Sequence, residues 1–141
     1  MSLYAESSAV LAWLLDEASG PQVRERLARE EWVVASDLTL IECDRVLLRA
    51  AALGELTEAE TADRHAHLTS AAAHWHLLRI GPEIVERARR PFPGDPVRTL
   101  DAIHLASALL ARSALAGLEL LSLDDRIRKS AQRLGLQLYP Q

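Results

Sequence analysis

Four acidic residues stand where a carboxylate is either costly or suggestively placed. Glu6 closes the apolar run Leu3-Tyr4-Ala5, and Asp124 directly follows Leu121-Ser122-Leu123. Asp101 is flanked by Leu100, Ala102 and Ile103, and Glu42 lies in the helical-looking run Ile41-Glu42-Cys43-Asp44. A charge within an apolar face is expensive unless a cation or metal pairs with it. If these four acids converge, their mutual repulsion has to be relieved. Hard divalent cations such as Mg²⁺ and Mn²⁺ do this, because they prefer oxygen ligands and retain waters. The matching chemistry polarises a phosphate and generates hydroxide for in-line attack on a phosphodiester. Taken singly, each acid also has a plain structural reading. Glu6 suits a helix N-terminus, Glu42 can face solvent beside Arg45 at i+3, and Asp124 can cap the last helix.

Convergence depends on the elements that carry the acids, and Gly, Pro and cap residues punctuate the chain regularly. Leu3–Ala5 reads as a strand, followed by a helix capped by Ser7 or Ser8 that runs to about Glu17 and is closed by Gly20-Pro21. Pro21 to about Glu31 reads as a charged amphipathic helix and Trp32–Ala35 as a strand. Leu38 to about Leu53 is a helix ended by Gly54, and Thr57-Glu58-Ala59-Glu60 is a capping box opening a helix to about Ala73. Trp75–Ile80 is a strand, Pro82–Arg89 a short helix, and Pro91–Pro96 a rigid loop. Val97–Arg112 reads as helix, Leu118–Leu123 as strand, Asp125–Leu134 as helix and Leu136–Tyr139 as a last strand. Short apolar strands alternating with helices imply an α/β layer fold with a mostly parallel sheet of about four to five strands. Sites in such sheets form beyond the carboxyl ends of the strands. Glu6 and Asp124 are therefore expected at one edge, with Glu42 and Asp101 rising near it from the early turns of their helices.

The chain has 141 residues, 49% hydrophobic and 26% charged, which fits a single domain, 1–141, with a proper core. No apolar run is long enough to span a membrane, and no signal peptide is evident. Cys43 is the single cysteine, so no internal disulfide is available, and a cytoplasmic location is expected. The net charge of −4 argues against nucleic-acid binding by bulk electrostatics alone. Neutralising four acids with metal would bring that charge to about zero.

Several neighbours of the acids invite a role. Asp125 either supports Asp124 or is a solvated acid at a helix start, and Asp95 reads as a turn residue. His104, three residues after Asp101 on the same helix, reads as a packed histidine. His65 and His67 point apart on their helix, and His74 and His76 make a poor zinc pair without a third ligand. Arg45, Arg98 and Arg126 lie near the acids in sequence and can hold phosphates or carboxylates. Trp13, Trp32 and Trp75 are expected in the core or an interface.

The segment Arg98-Thr99-Leu100-Asp101-Ala102-Ile103-His104-Leu105-Ala106 resembles the central motif of PIN-domain nucleases, especially VapC-like toxins. Tyr4-Ala5-Glu6-Ser7-Ser8-Ala9-Val10 resembles their amino-terminal motif, Glu42 with Arg45 the second acidic motif, and Leu121-Ser122-Leu123-Asp124 with Asp125-Arg126 the carboxy-terminal one. The order and spacing fit over essentially the whole chain. The resemblance implies a PIN-like three-layer fold and a Mg²⁺- or Mn²⁺-dependent endoribonuclease with Glu6, Glu42, Asp101 and Asp124 as catalytic metal ligands. It places Ser7 beside the first acid, where its hydroxyl can orient a ligand or water. It further implies an RNA substrate, a small antitoxin as partner, and a homodimer. This chain departs from the family in having Glu6 where Asp is usual, which moves that carboxylate by roughly one carbon–carbon bond. A PIN nuclease without an antitoxin, and a catalytically silent PIN module binding RNA or protein, are the competing readings.

Overall fold

The structure, a computed structural model, describes residues 1–141. Its elements run β1 (Ser2–Ala5), α1 (Ser7–Leu14), α2 (Gly20–Arg29), β2 (Trp32–Ser36), α3 (Asp37–Ala52), α4 (Glu58–Ala72), β3 (His76–Leu78), α5 (Pro82–Ala88), α6 (Thr99–Ala114), β4 (Glu119–Leu121), α7 (Asp125–Arg133) and β5 (Gln137–Tyr139). The five strands form one sheet in the order β3-β2-β1-β4-β5, and every pairing is parallel. The chain builds outward from β1 to β2 and β3, then returns to add β4 and β5 on the other side. The strand order therefore reverses between β1 and β4, where open α/β sheets place their crevice.

The period of two along β1 creates the layers. Leu3 and Ala5 join Val33, Ala35 and Leu121 on one face, packed against Val10, Leu14, Val23, Leu27, Cys43, Leu47 and Leu68 from α1 to α4. Tyr4, Val34 and Leu120 face the other way, onto Ala102, Leu105, Ala108, Ile127 and Ala131 of α6 and α7, with α5 leaning on α6. Covered on both faces, the central strands read as unbroken apolar runs. The three-layer PIN-like arrangement expected from the sequence is the one observed.

The first helix stops at Leu14 and not near Glu17. The chain reverses there through Asp16 at φ +54, and Gly20 then passes so close to α1 that a Cβ would lie 2.6 Å from the Ala12 carbonyl oxygen. The strand expected over Trp75–Ile80 shortens to His76–Leu78, the three residues in register with Val34–Ser36. Thr57 and Glu60 form the expected capping box, their side chains each accepting the other's backbone N–H at 3.1 and 3.0 Å. Trp13 and Trp75 pack against the core of the α1–α4 layer. Trp32 is 39% exposed, its ring 4.6 Å from that of His76.

At the start of β4 the sheet also carries a buried ion cluster. Arg26 of α2 donates to Glu119 at 2.7 Å and to Glu30, with its guanidinium 4.2 Å from the centre of the Tyr139 ring.

Candidate active site

Beyond the carboxyl edge of the sheet, four separate stretches of chain bring carboxylates to one cleft of about 380 Å³. Glu6, Glu42, Asp101 and Asp124 all line it, together with Arg98, Thr99 and His104. Glu6 and Asp124 come from the turns after β1 and β4, Glu42 from the second turn of α3, and Asp101 from the first turn of α6. The cleft thus spans both helical layers over the strand-order reversal. All four acids expected near this sheet edge line the one cleft.

Each acid is held differently. Glu6 is buried and is itself the N-cap of α1: its Oε2 accepts the Ser8 N–H at 2.9 Å. Its Oε1 accepts the hydroxyls of Ser8 at 2.5 Å and Ser122 at 2.6 Å. Asp124 caps α7, Oδ1 accepting from the N–H groups of Arg126 at 2.9 Å and Ile127 at 3.1 Å. Asp124 thus caps α7, as one reading of the sequence had it, and lines the cleft as well. Asp101 takes a hydrogen bond from Arg98 Nε at 3.2 Å on Oδ2.

Glu42 is fixed by a chain of buried polar groups. His104 Nε2 donates to Glu42 Oε1 at 2.5 Å, and the Ser7 hydroxyl donates to the same oxygen at 2.7 Å. Behind them the Tyr4 hydroxyl lies 2.9 Å from His104 Nδ1 and donates to Ser36 at 3.1 Å. Burial pushes the Glu42 carboxyl up, but the hydrogen bonds from His104 and Ser7 outweigh it and hold the group below the usual carboxylate range. Burial pushes the Tyr4 hydroxyl up to about 12.

This geometry revises several expectations. Ser7 does not cap α1; it is the first residue of that helix, buried, with its hydroxyl on Glu42. Arg45 is exposed and does not line the cleft, because Glu42 turns inward to His104 and away from its i+3 neighbour. Asp125 is an exposed residue at the start of α7, outside the cleft. Arg98 stands at the rim, and Asp95 closes its loop by accepting from the Phe92 and Val97 N–H groups. His104 is buried as expected of a packed histidine, yet it is the residue that joins α6 to Glu42. Its position three residues after Asp101, on one helix face, was the available signal.

The chemistry of these donors, though not a measured cage, suits a divalent cation. Glu42 Oε2, Asp101 Oδ1 and Asp124 Oδ2 have no protein hydrogen-bond partner, and none is sealed from solvent. Hard oxygen donors of this kind, open to solvent, are what Mg²⁺ and Mn²⁺ prefer. The one set of three such residues whose donor atoms all lie within 4.8 Å of one another is Glu6, Glu42 and His104; Asp101 and Asp124 line the same cleft but are not part of it.

Residues 3–133 match the sequence model of the PIN domain. The chain belongs to the PIN domain family. Ribonuclease VapC46 of Mycobacterium tuberculosis is 34% identical to this PIN domain over 135 residues, 96% of this chain and 94% of that protein. Among solved structures, FitAcB from Neisseria gonorrhoeae aligns with a TM-score of 0.70 at 16% identity, covering 99% of this chain and 96% of that one. A toxin–antitoxin complex from Klebsiella pneumoniae aligns with a TM-score of 0.59 at 20% identity, covering 88% of this chain and 87% of its counterpart. At such identities the structural likenesses speak for the fold. The resemblance carried by the four motifs is thus a family membership.

Proposed function

We propose that this PIN domain is a Mg²⁺- or Mn²⁺-dependent endoribonuclease, the toxin of a toxin–antitoxin pair. The observation that carries the reading is the convergence of Glu6, Glu42, Asp101 and Asp124 on one cleft, three of them with a carboxylate oxygen free of protein partners. The name of the M. tuberculosis relative supports RNA as substrate, and the K. pneumoniae complex supports a small antitoxin partner. A cytoplasmic location, expected from the lone Cys43, and a homodimer, implied by the family resemblance, complete the reading. No helix is long and apolar enough to cross a membrane.

Glu6, Glu42, Asp101 and Asp124 would hold the metal. When bound, the cation supplies charge against the phosphodiester and activates water for in-line attack. The chain's own contribution is preorganisation. Helix N–H groups pin one oxygen of Asp124, Arg98 pins one of Asp101, and His104 with Ser7 pins one of Glu42. Each remaining oxygen is left in one orientation, so little reordering is needed when charge develops. Arg98, exposed at the rim, is placed to hold a phosphate.

The test is cleavage of labelled tRNA and rRNA fragments with Mn²⁺ or Mg²⁺ by wild type, Asp101→Asn and Glu6→Asp, each checked for folding. Cleavage by wild type, abolished by chelator and by Asp101→Asn, is the expected result; unchanged cleavage by Asp101→Asn removes the mechanism. One observation favours a second reading, a silent PIN module: both oxygens of Glu6 are already hydrogen-bonded within the protein. Silence of the wild type together with activity of Glu6→Asp would establish it.

A further inference from the structure

A second cleft, of about 580 Å³, adjoins the acid-lined one and shares Arg98 and Asp101 with it. Its walls are the Gly94–Val97 loop and one face of α7. Arg126, Lys129 and Arg133 stand on that face at i, i+3 and i+7, spread along about 10 Å of helix. Four of its lining residues are cationic, and Asp101 is the one acid among them. The nearby carboxylates are engaged or turned away. Asp95 holds the Phe92 and Val97 N–H groups, Asp124 caps α7, and Asp125 is exposed outside the cleft. Arg126 and Lys129 form no ion pair, and Arg133 contacts only the Gly94 carbonyl, at 3.5 Å.

The loop is shaped to admit Arg133. Gly94 has φ +77, and a Cβ there would lie 2.2 Å from Arg133 Nη1. Glycine therefore serves twice, making the turn and letting the guanidinium lie across it.

A cleft lined by four carboxylates repels a polyanion, and the chain as a whole carries −4. Binding energy for a nucleic acid must then come from phosphates that flank the one among the acids. The geometry points to the α7 cleft as the seat of those flanking phosphates: Arg98, Arg126, Lys129 and Arg133 hold the backbone of single-stranded RNA as it enters the acid-lined cleft. This rests on the ribonuclease reading. Contacts of this kind go to phosphate alone, so the cleft sets affinity and register and leaves base choice to other surfaces.

Two readouts separate the cleft from the chemistry. Binding of a labelled single-stranded RNA of about a dozen nucleotides is followed by fluorescence anisotropy in chelator across a salt series, while cleavage is measured in Mn²⁺. The triple variant Arg126→Gln, Lys129→Gln, Arg133→Gln is compared with a charge-matched control, Arg24→Gln, Arg49→Gln, Arg79→Gln, whose six positions together are all exposed. The α7 variant is expected to bind about tenfold more weakly or worse at low salt. Its slope of log Kd against log salt should flatten by about 2, the loss of three phosphate contacts. The control is expected to track wild type. Equal affinity and slope in the two variants overturns the proposal. So does normal RNA binding by the α7 variant with lost capture of a co-expressed acidic antitoxin, which makes the cleft a protein seat. RNA binding that depends on α7 without any cleavage by wild type keeps this cleft and removes the ribonuclease.

Discussion

At the start of β4, Arg26 stands between Glu119 and Glu30; just past the end of the same strand, Asp124 joins Glu6, Glu42 and Asp101. Both regions put charge against an apolar sheet, but they balance it in opposite ways. Around Arg26 the cation is enclosed by two acids and an aromatic face, and Glu30 Oε2 is the one buried side-chain oxygen without a partner. In the cleft the acids are held by hydroxyls, helix N–H groups, His104 and a rim-exposed Arg98, and three of them keep a carboxylate oxygen without a partner and open to solvent. A closed cluster of that first kind holds structure, because removing one member strands a buried charge. An open cluster of the second kind costs stability through repulsion and is retained for what it binds.

Substitutions can break or sharpen this contrast. Asp101→Asn should lower metal-dependent cleavage a thousandfold or more, about 4 kcal/mol of barrier, while the melting temperature holds or rises. Arg26→Met should do the reverse. It leaves Glu30 and Glu119 uncompensated and should cost about 3–5 kcal/mol in urea unfolding, with cleavage per folded molecule preserved. A loss of cleavage beyond the unfolded fraction would show that the two clusters are coupled through β4.

Tyr4 allows a test by pH. Its hydroxyl is raised from 10.0 to about 12 in the folded protein. A raised group contributes stability that is complete below its unfolded value and lost as pH climbs through the folded one. Wild type should therefore lose about 3 kcal/mol between pH 10 and 12 that Tyr4→Phe does not lose, as read by urea midpoints across that range. An identical alkaline loss in the two proteins would mean that this hydroxyl is not sealed beneath the cleft.

His104→Gln keeps a donor near Glu42 but breaks the link to Tyr4, so Mn²⁺ affinity measured by electron paramagnetic resonance should fall about 10-fold and His104→Ala should approach 100-fold. Equal losses in the two would make His104 a packing residue only. The smallest effect is expected at Glu6→Asp. Aspartate is among the best N-caps, so stability should hold or rise by up to about 1 kcal/mol in thermal melts.

The element order, the parallel α/β layers and the placing of acids at one sheet edge were legible from local patterns: the apolar run Leu3–Ala5, caps at Thr57 and Asp124, and acids at strand ends; the three-layer arrangement came with the family resemblance. The links between elements were not. Ser7 looked like a cap because hydroxyls at helix starts usually are; that Glu6 takes the role shows only once its carboxylate is seen on the Ser8 N–H and the Ser122 hydroxyl. For Glu42 the sequence left solvation beside Arg45 open as an alternative to the site, and only the meeting of α3 with α6 across the sheet edge shows it paired with His104, 62 residues away. The α7 cations were scattered in sequence from the loop that forms their cleft, and Gly94 reads as a turn residue until Arg133 is seen lying over it.

Cys43, the neighbour of Glu42 in α3, is fully buried, and burial pushes its thiol up. A thiol in that state does not meet an alkylating reagent until α3 lifts away from the core and the thiolate forms in water. Its labelling rate is therefore an intrinsic clock for the opening of the helix that presents Glu42. Adding Mn²⁺ should slow that clock in proportion to how firmly the ion ties α3 to the other three acids.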